Sequence, residues 1–186
     1  ASVREAFEEA GILLAGDGRG GLVDTAGAES GGRFRSHRNA LNAGRQEFAA
    51  MMQGEGLRLA AGRLTYFSHW ITPVGAPRRY DTRFFLAAAP ERQEASHDGG
   101  ETIAHAWLRP AAALDARAKG ESKLRVPTIR TLESFAGFAS VGSLAAGLRG
   151  QGSISPLLPR LTRDGRSLLP GEPGYEETGG EGSWKI

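Results

Sequence analysis

Between residues 36 and 62 the apolar positions Leu41, Phe48, Met51, Met52, Leu57 and Leu59 fall on or near one helical stripe. The pattern predicts two short helices, broken around Gly54 and Gly56. Beyond them the period drops to two. LTYFSHWITP (64–73) and RYDTRFFLAAAP (79–90) are rich in aromatic and β-branched residues and read as strands. ETIAHAWL (101–108) alternates in the same way, with Glu101, Ile103, His105 and Trp107 on one face. Helical spacing returns after Pro110, which suits a first turn. It returns again where Thr128 can cap a helix whose Ile129, Leu132, Phe135 and Phe138 pack on the sheet. A shorter helix is expected from Ser140 toward Leu148, bounded by Gly147 and Gly150. In LLPRLTRDGRSLLPGEPGY (157–175) an Asp-Gly turn separates two apolar runs, the signal of a hairpin whose prolines mark edge strands.

The first dozen residues pose a different question. In REAFEEAGI (4–12), Glu5, Glu8 and Glu9 are spaced by three and four, so a helix sets all three on one face. Their mutual repulsion costs about 0.2–0.5 kcal/mol per exposed pair, and a cation would relieve it. A solvated acidic turn is the simpler alternative, since an acidic first turn also complements the helix dipole. Arg4 precedes the acids, and Gly11 stands where a left-handed residue ends a helix. ILLA (12–15) can then enter a sheet or the core. Residues 16–33, dominated by Gly and small polar residues, read as a flexible loop, and the tail over 176–186 as disordered. The helical insert over 36–62 is too long for an ordinary connection, which suggests that it shapes a pocket or lid.

Composition narrows the function classes. With 186 residues and 40% hydrophobic content, the chain fits one domain with one sizeable core. Lys plus Arg number 23 against 21 for Asp plus Glu, so no strong field draws nucleic acid or a membrane surface. The absence of cysteine excludes disulfides, thiol catalysis and cysteine-ligated zinc, and suits a reducing, cytoplasmic setting. No apolar run reaches the roughly 20 residues of a membrane span. His37, His69, His97 and His105 lack zinc-site spacing and are expected as satisfied, half-buried residues.

The string REAFEEAGI resembles the second half of the Nudix box, Arg-Glu-x-x-Glu-Glu-x-Gly followed by an aliphatic residue. Five fixed positions match by chance on the order of once in a million starts at average residue usage, so the signal is specific. Ala6 departs from the larger aliphatic residue usual there, which touches packing more than chemistry. The first half of the box would precede Ala1, and the chain does not begin with Met. The expectation is therefore a partial Nudix domain over 1–175 that lacks its amino-terminal strands. The insert, HWITPVGAPRRYDTRFFLA (69–87), AWLRPAAALD (106–115) and LLPGEPGY (168–175) are similar to a branch that includes animal peroxisomal coenzyme A diphosphatases and bacterial relatives.

The resemblance implies an α/β fold, an α/β/α sandwich with a mixed sheet and the box helix on one face. It implies Mg2+ or Mn2+, with Glu8 and Glu9 as main ligands, Glu5 as ligand or base, and Arg4 orienting the carboxylates. Glu101 is the candidate for the further carboxylate that such enzymes often use. Arg79, Asp81 and Arg83, with Arg78, would grip an anionic ligand, although Asp81 and Arg83 can equally form a structural ion pair. The implied substrate is a small-molecule nucleoside diphosphate derivative such as coenzyme A or its acyl esters, with no nucleic acid or membrane partner and with room for a homodimer. Two rivals stay open: a truncated or degenerate fragment that binds a ligand or partner without catalysis, and a scaffold whose glutamate face is accidental.

Overall fold

Six α-helices, one 3-10 turn (Ala61–Arg63) and six short strands make an α/β fold in the computed structural model, which describes residues 1–18, 20–100, 102 and 104–178. They group into two compact units, the first formed by Ala1–Leu64 with Ala87–Trp107, the second by Thr65–Leu86 with the residues from Leu108 onward.

In the first unit, α1 spans Ser2–Ala10 and stops at Gly11, whose φ of 72° places it in the left-handed region. Val3 and Phe7 bury the face opposite the acids. ILLA continues inward: Leu13, Leu14 and Ala15 are buried, and β1 (Ala15–Gly16) pairs antiparallel with β2 (Arg58–Leu59). Helix α2 (Ser30–Asn42) begins inside the stretch expected as loop, and α3 (Phe48–Gly54) follows. The break between the two helices falls at Ala43–Glu47, where Gly44 has φ 64°, rather than around Gly54 and Gly56. Gly54 closes α3, and Gly56, with φ 63°, turns the chain out of it. Phe34, Leu41, Met51 and Met52 complete the core with α1, whereas Leu59 faces solvent. The phenyl rings of Phe7 and Phe34 meet edge to face at 6.5 Å.

The stretch expected as a strand over 101–108 carries none at its described residues, 102 and 104–108. Side-chain bonds hold this segment instead: Asp98 Oδ1 accepts from Thr102 N and Oγ1 at 2.8 and 2.6 Å. Trp107 is exposed. Glu101 and Ile103 lie outside the described residues.

In the second unit, both expected strands form, as β3 (Thr65–Ile71) and β4 (Asp81–Leu86), and they pair antiparallel with a register shift between Tyr66 and Ser68. Helix α4 (Pro110–Ala118) starts on its proline and packs against α5 (Val126–Ala136). The cap of α5 is Arg125, with Thr128 already inside the helix, because Pro127 takes the first turn where its missing N–H costs nothing. Phe135 carries α5 onto the sheet, its ring 5.2 Å from Phe67, while Phe138 falls beyond the helix end. Helix α6 (Val141–Arg149) opens on a capping box between Ser140 and Ser143 and packs on β3. The Asp164-Gly165 hairpin joins β5 (Arg160–Leu161) and β6 (Ser167–Leu168). Tyr175 closes the unit, donating its hydroxyl to Leu158 O at 2.8 Å beneath the Arg160 guanidinium. Of the tail, 176–178 are described, with Glu176 paired to Arg160, and 179–186 lie outside the described residues. Among the described residues the strands form three separate two-stranded antiparallel sheets rather than one mixed sheet, with one parallel bridge from Trp70 to Leu157.

Candidate active site

Helix α1 presents the acids as the spacing predicts. Alanine and glutamate favour the helix, and burying Val3 and Phe7 leaves Glu5 and Glu8 turned outward, with side-chain exposures of 55% and 19%. Arg4 lies between them. Its Nη1 donates to Glu8 Oε2 at 2.6 Å, and its Nη2 stands 3.9 Å from Glu5 Oε1. The hydrogen bond and charge of Glu8 push the Arg4 guanidinium above its ordinary pKa. The cation that the crowded turn calls for is thus partly supplied by the helix itself. Glu9 is half-buried at the helix end.

That end is held by residues the sequence did not mark. Arg38, on α2, is buried to 9% exposure and donates from Nε to Glu8 O at 2.9 Å and from Nη2 to Glu9 O at 2.7 Å. Burial lowers its pKa, with the Asp98 charge opposing. Gln93 does similar work on the segment that follows: its side-chain amide accepts from Leu13 N at 2.8 Å and donates to Leu13 O and Val23 O. Neither residue stands in a motif, and nothing in the sequence sets Arg38 apart from Arg33 and Arg35 on the same helix. A cavity of about 480 Å³ opens at this end of α1, lined by Phe7, Gly11, Phe34, Arg35, Arg38 and His105 among others.

The remaining expected residues divide. Arg79, Asp81 and Arg83 belong to the second unit. There Asp81 Oδ1 meets both His69 Nε2 at 2.5 Å and Arg83 Nη1 at 3.1 Å, while Arg79 Nε donates to Thr72 O. His69 is buried and His37 half-buried, each bonded through a ring nitrogen. His97 and His105 instead are exposed, their Nδ1 atoms 2.9 Å apart.

The donor set of α1 suits a hard divalent cation. Its three carboxylates offer oxygen ligands alone, and among the described residues no three His, Asp or Glu side chains gather closely enough to hold an ion by themselves. Magnesium accepts such a sparse site, because it keeps several waters and binds through one or two carboxylates together with substrate phosphates. No helix among the described residues is long and apolar enough to cross a membrane.

A family model described as NUDT19 Nudix domain matches residues 1–133. The human acyl-coenzyme A diphosphatase NUDT19 is 30% identical over 188 residues, covering 95% of this chain and 50% of the relative. Its Gallus gallus counterpart is 29% identical over 194 residues, covering 95% and 51%, and that of Xenopus laevis 24% over 191 residues, covering 95% and 50%. The chain thus spans about half the length of the curated relatives it matches. No solved structure matches it.

Proposed function

Because the chain belongs to the NUDT19 Nudix domain family, we propose that the protein carrying it hydrolyses the diphosphate of a coenzyme A derivative, with α1 as its metal-binding helix. The observation that carries this reading is the co-location of Arg4, Glu5, Glu8, Glu9 and the left-handed Gly11 on one helix and its cap. The relatives named acyl-coenzyme A diphosphatase support the substrate class. In the fold that goes with this reading, residues 1–175 belong to a Nudix-type α/β domain.

Glu8 and Glu9 would hold Mg2+ or Mn2+, with Glu5 as a further ligand or as the base. Bound there, the ion offsets the charge of the diphosphate oxygens and lowers the pKa of a water. Arg4 keeps Glu8 in one rotamer by its hydrogen bond. Hydrolysis places the water's OH on one phosphorus and its proton on the former bridging oxygen, so a phosphomonoester leaves on each side. Glu101, by its order along the chain, is the candidate for an added carboxylate. Arg79, Asp81 and Arg83 are candidates for the contacts that recognise an anionic ligand, since arginine binds phosphate bidentately.

The test is a substrate panel on the protein carrying residues 1–186, with magnesium or manganese, comparing acyl-coenzyme A, coenzyme A, NADH, ADP-ribose and nucleotide sugars by product release. Acyl-coenzyme A should turn over fastest; equal turnover of ADP-ribose would remove the substrate assignment and leave the diphosphatase. Glu9→Gln should lower kcat at least about 100-fold while unfolding free energy shifts by less than about 0.5 kcal/mol, since one acid fewer also relieves repulsion. A large stability loss instead would make the acids structural.

A further inference from the structure

The carboxy-terminal end of α1 has a complete hydrogen-bond account. A helix leaves its last four carbonyls without intrahelical partners, and in α1 these belong to Phe7, Glu8, Glu9 and Ala10. Phe7 O accepts from Gly11 N, and Ala10 O accepts from Ser96 N, both at 3.0 Å. Glu8 O accepts from Arg38 Nε and from Asn42 Nδ2 at 2.9 and 3.1 Å. Glu9 O accepts from Arg38 Nη2 at 2.7 Å and from Thr102 Oγ1 at 3.1 Å. One buried guanidinium therefore grips the backbone of both residues whose carboxylates lie at the centre of the acid face. Its Nη1 and Nη2 continue to Ser96 Oγ and Ser96 O, each at 2.8 Å, which fixes the plane of the fork.

We propose that Arg38 is a positioning residue for the diphosphatase site, and that α2 serves to deliver it: the guanidinium locks the rotation and height of the last turn of α1, and with them the directions of the Glu8 and Glu9 side chains. This rests on the hydrolase reading above and adds to it a residue outside the box. Gly11 fits the same scheme from the other side. A Cβ there would lie 3.2 Å from Arg38 Nη1 and 3.3 Å from Ser96 Oγ, so the glycine that ends the helix also leaves the space in which the fork sits. A lysine at 38 could donate to one carbonyl but cannot reproduce a planar fork across two. A cation at a helix carboxy-terminus is favourable in itself, so charge alone would survive that change while geometry would not.

The test compares Arg38→Lys and Arg38→Ala with Leu41→Ala, a core truncation on the same helix that touches no carbonyl of α1. Turnover of the best substrate from the panel is measured together with amide hydrogen exchange across residues 4–12 of the metal-free protein. Arg38→Lys should lower kcat by 10-fold or more with KM within about twofold, and should speed exchange at Gly11 and Ile12. Leu41→Ala should lower the unfolding midpoint as much or more while keeping kcat within about threefold. Added guanidinium should restore part of the kcat of Arg38→Ala and none of that of Leu41→Ala. If Arg38→Lys keeps wild-type kcat and exchange, or if Leu41→Ala loses kcat in step, Arg38 is a core residue only and the proposal is overturned while the hydrolase reading stands. A wild-type protein that turns over nothing in the panel overturns both.

Discussion

At the scale of single residues, the acid face and its cap obey local rules, and local rules are what a sequence displays. Glu5, Glu8 and Glu9 share a face because their spacing is helical, and Gly11 adopts φ 72° because a helix end requires it. Gly11→Ala should cost about 1–2 kcal/mol from left-handed strain alone, and more once the methyl group presses on Arg38; urea unfolding of the variant against wild type measures it. A loss below about 0.5 kcal/mol would mean that the turn relaxes to another conformation. Arg38 was not legible, because its partners are backbone carbonyls and residues 58 positions away, and no spacing rule encodes them. That Asp81 and Arg83 share one face of β4 and can pair was legible from the strand period. The bond of Asp81 to buried His69 was not, since register sets it.

At the scale of elements, type was easier to read than extent. The strands β3 and β4, the proline start of α4 and the glycine turn of β5–β6 follow from β-branched and aromatic runs, fixed proline φ and an Asp-Gly pair. The loop over 16–33 concealed more order than its glycines suggest. A Cβ at Gly16 would overlap the carbonyl oxygen of Gly21, and Asp24 Oδ1 accepts from Ala26 N and Gly27 N, an Asx turn that leads into α2. Close backbone approach and flexibility call for the same residue, so composition cannot separate them. The buried segment at Leu13, just before β1, depends on a side chain far along the chain. Gln93→Ala removes the partner of Leu13 N, a donor on a residue with no exposure, and should cost about 1–3 kcal/mol. Equilibrium denaturation is the check; a change within error would mean that another acceptor reaches Leu13.

At the scale of the whole molecule, the exposed surface carries the next expectation. Trp107 is 73% exposed and Leu108 62%, Phe138 and Val141 lie open in the second unit, and among the described residues no sheet has more than two strands, so most strand edges lack a strand partner. Such edges and apolar positions favour association. Residues 1–186 prepared alone should therefore self-associate in sedimentation velocity at micromolar concentration, and Trp107→Ser should reduce it; a monodisperse monomer would count against this. The carboxy-terminal end of α1 has a consequence in time as well as in space. Its carbonyls wait for Arg38 and Asn42, then for Ser96, and finally for Thr102, 93 residues beyond Glu9. Contacts of that separation close late, after the loop entropy between them has been met. On the ribosome, the helix emerges among the first residues of this stretch but gains its last clamp only when Thr102 has left the exit tunnel. The acids are thus made early and aligned late, so a nascent chain carries the charges of the proposed metal site well before it can hold them in one direction.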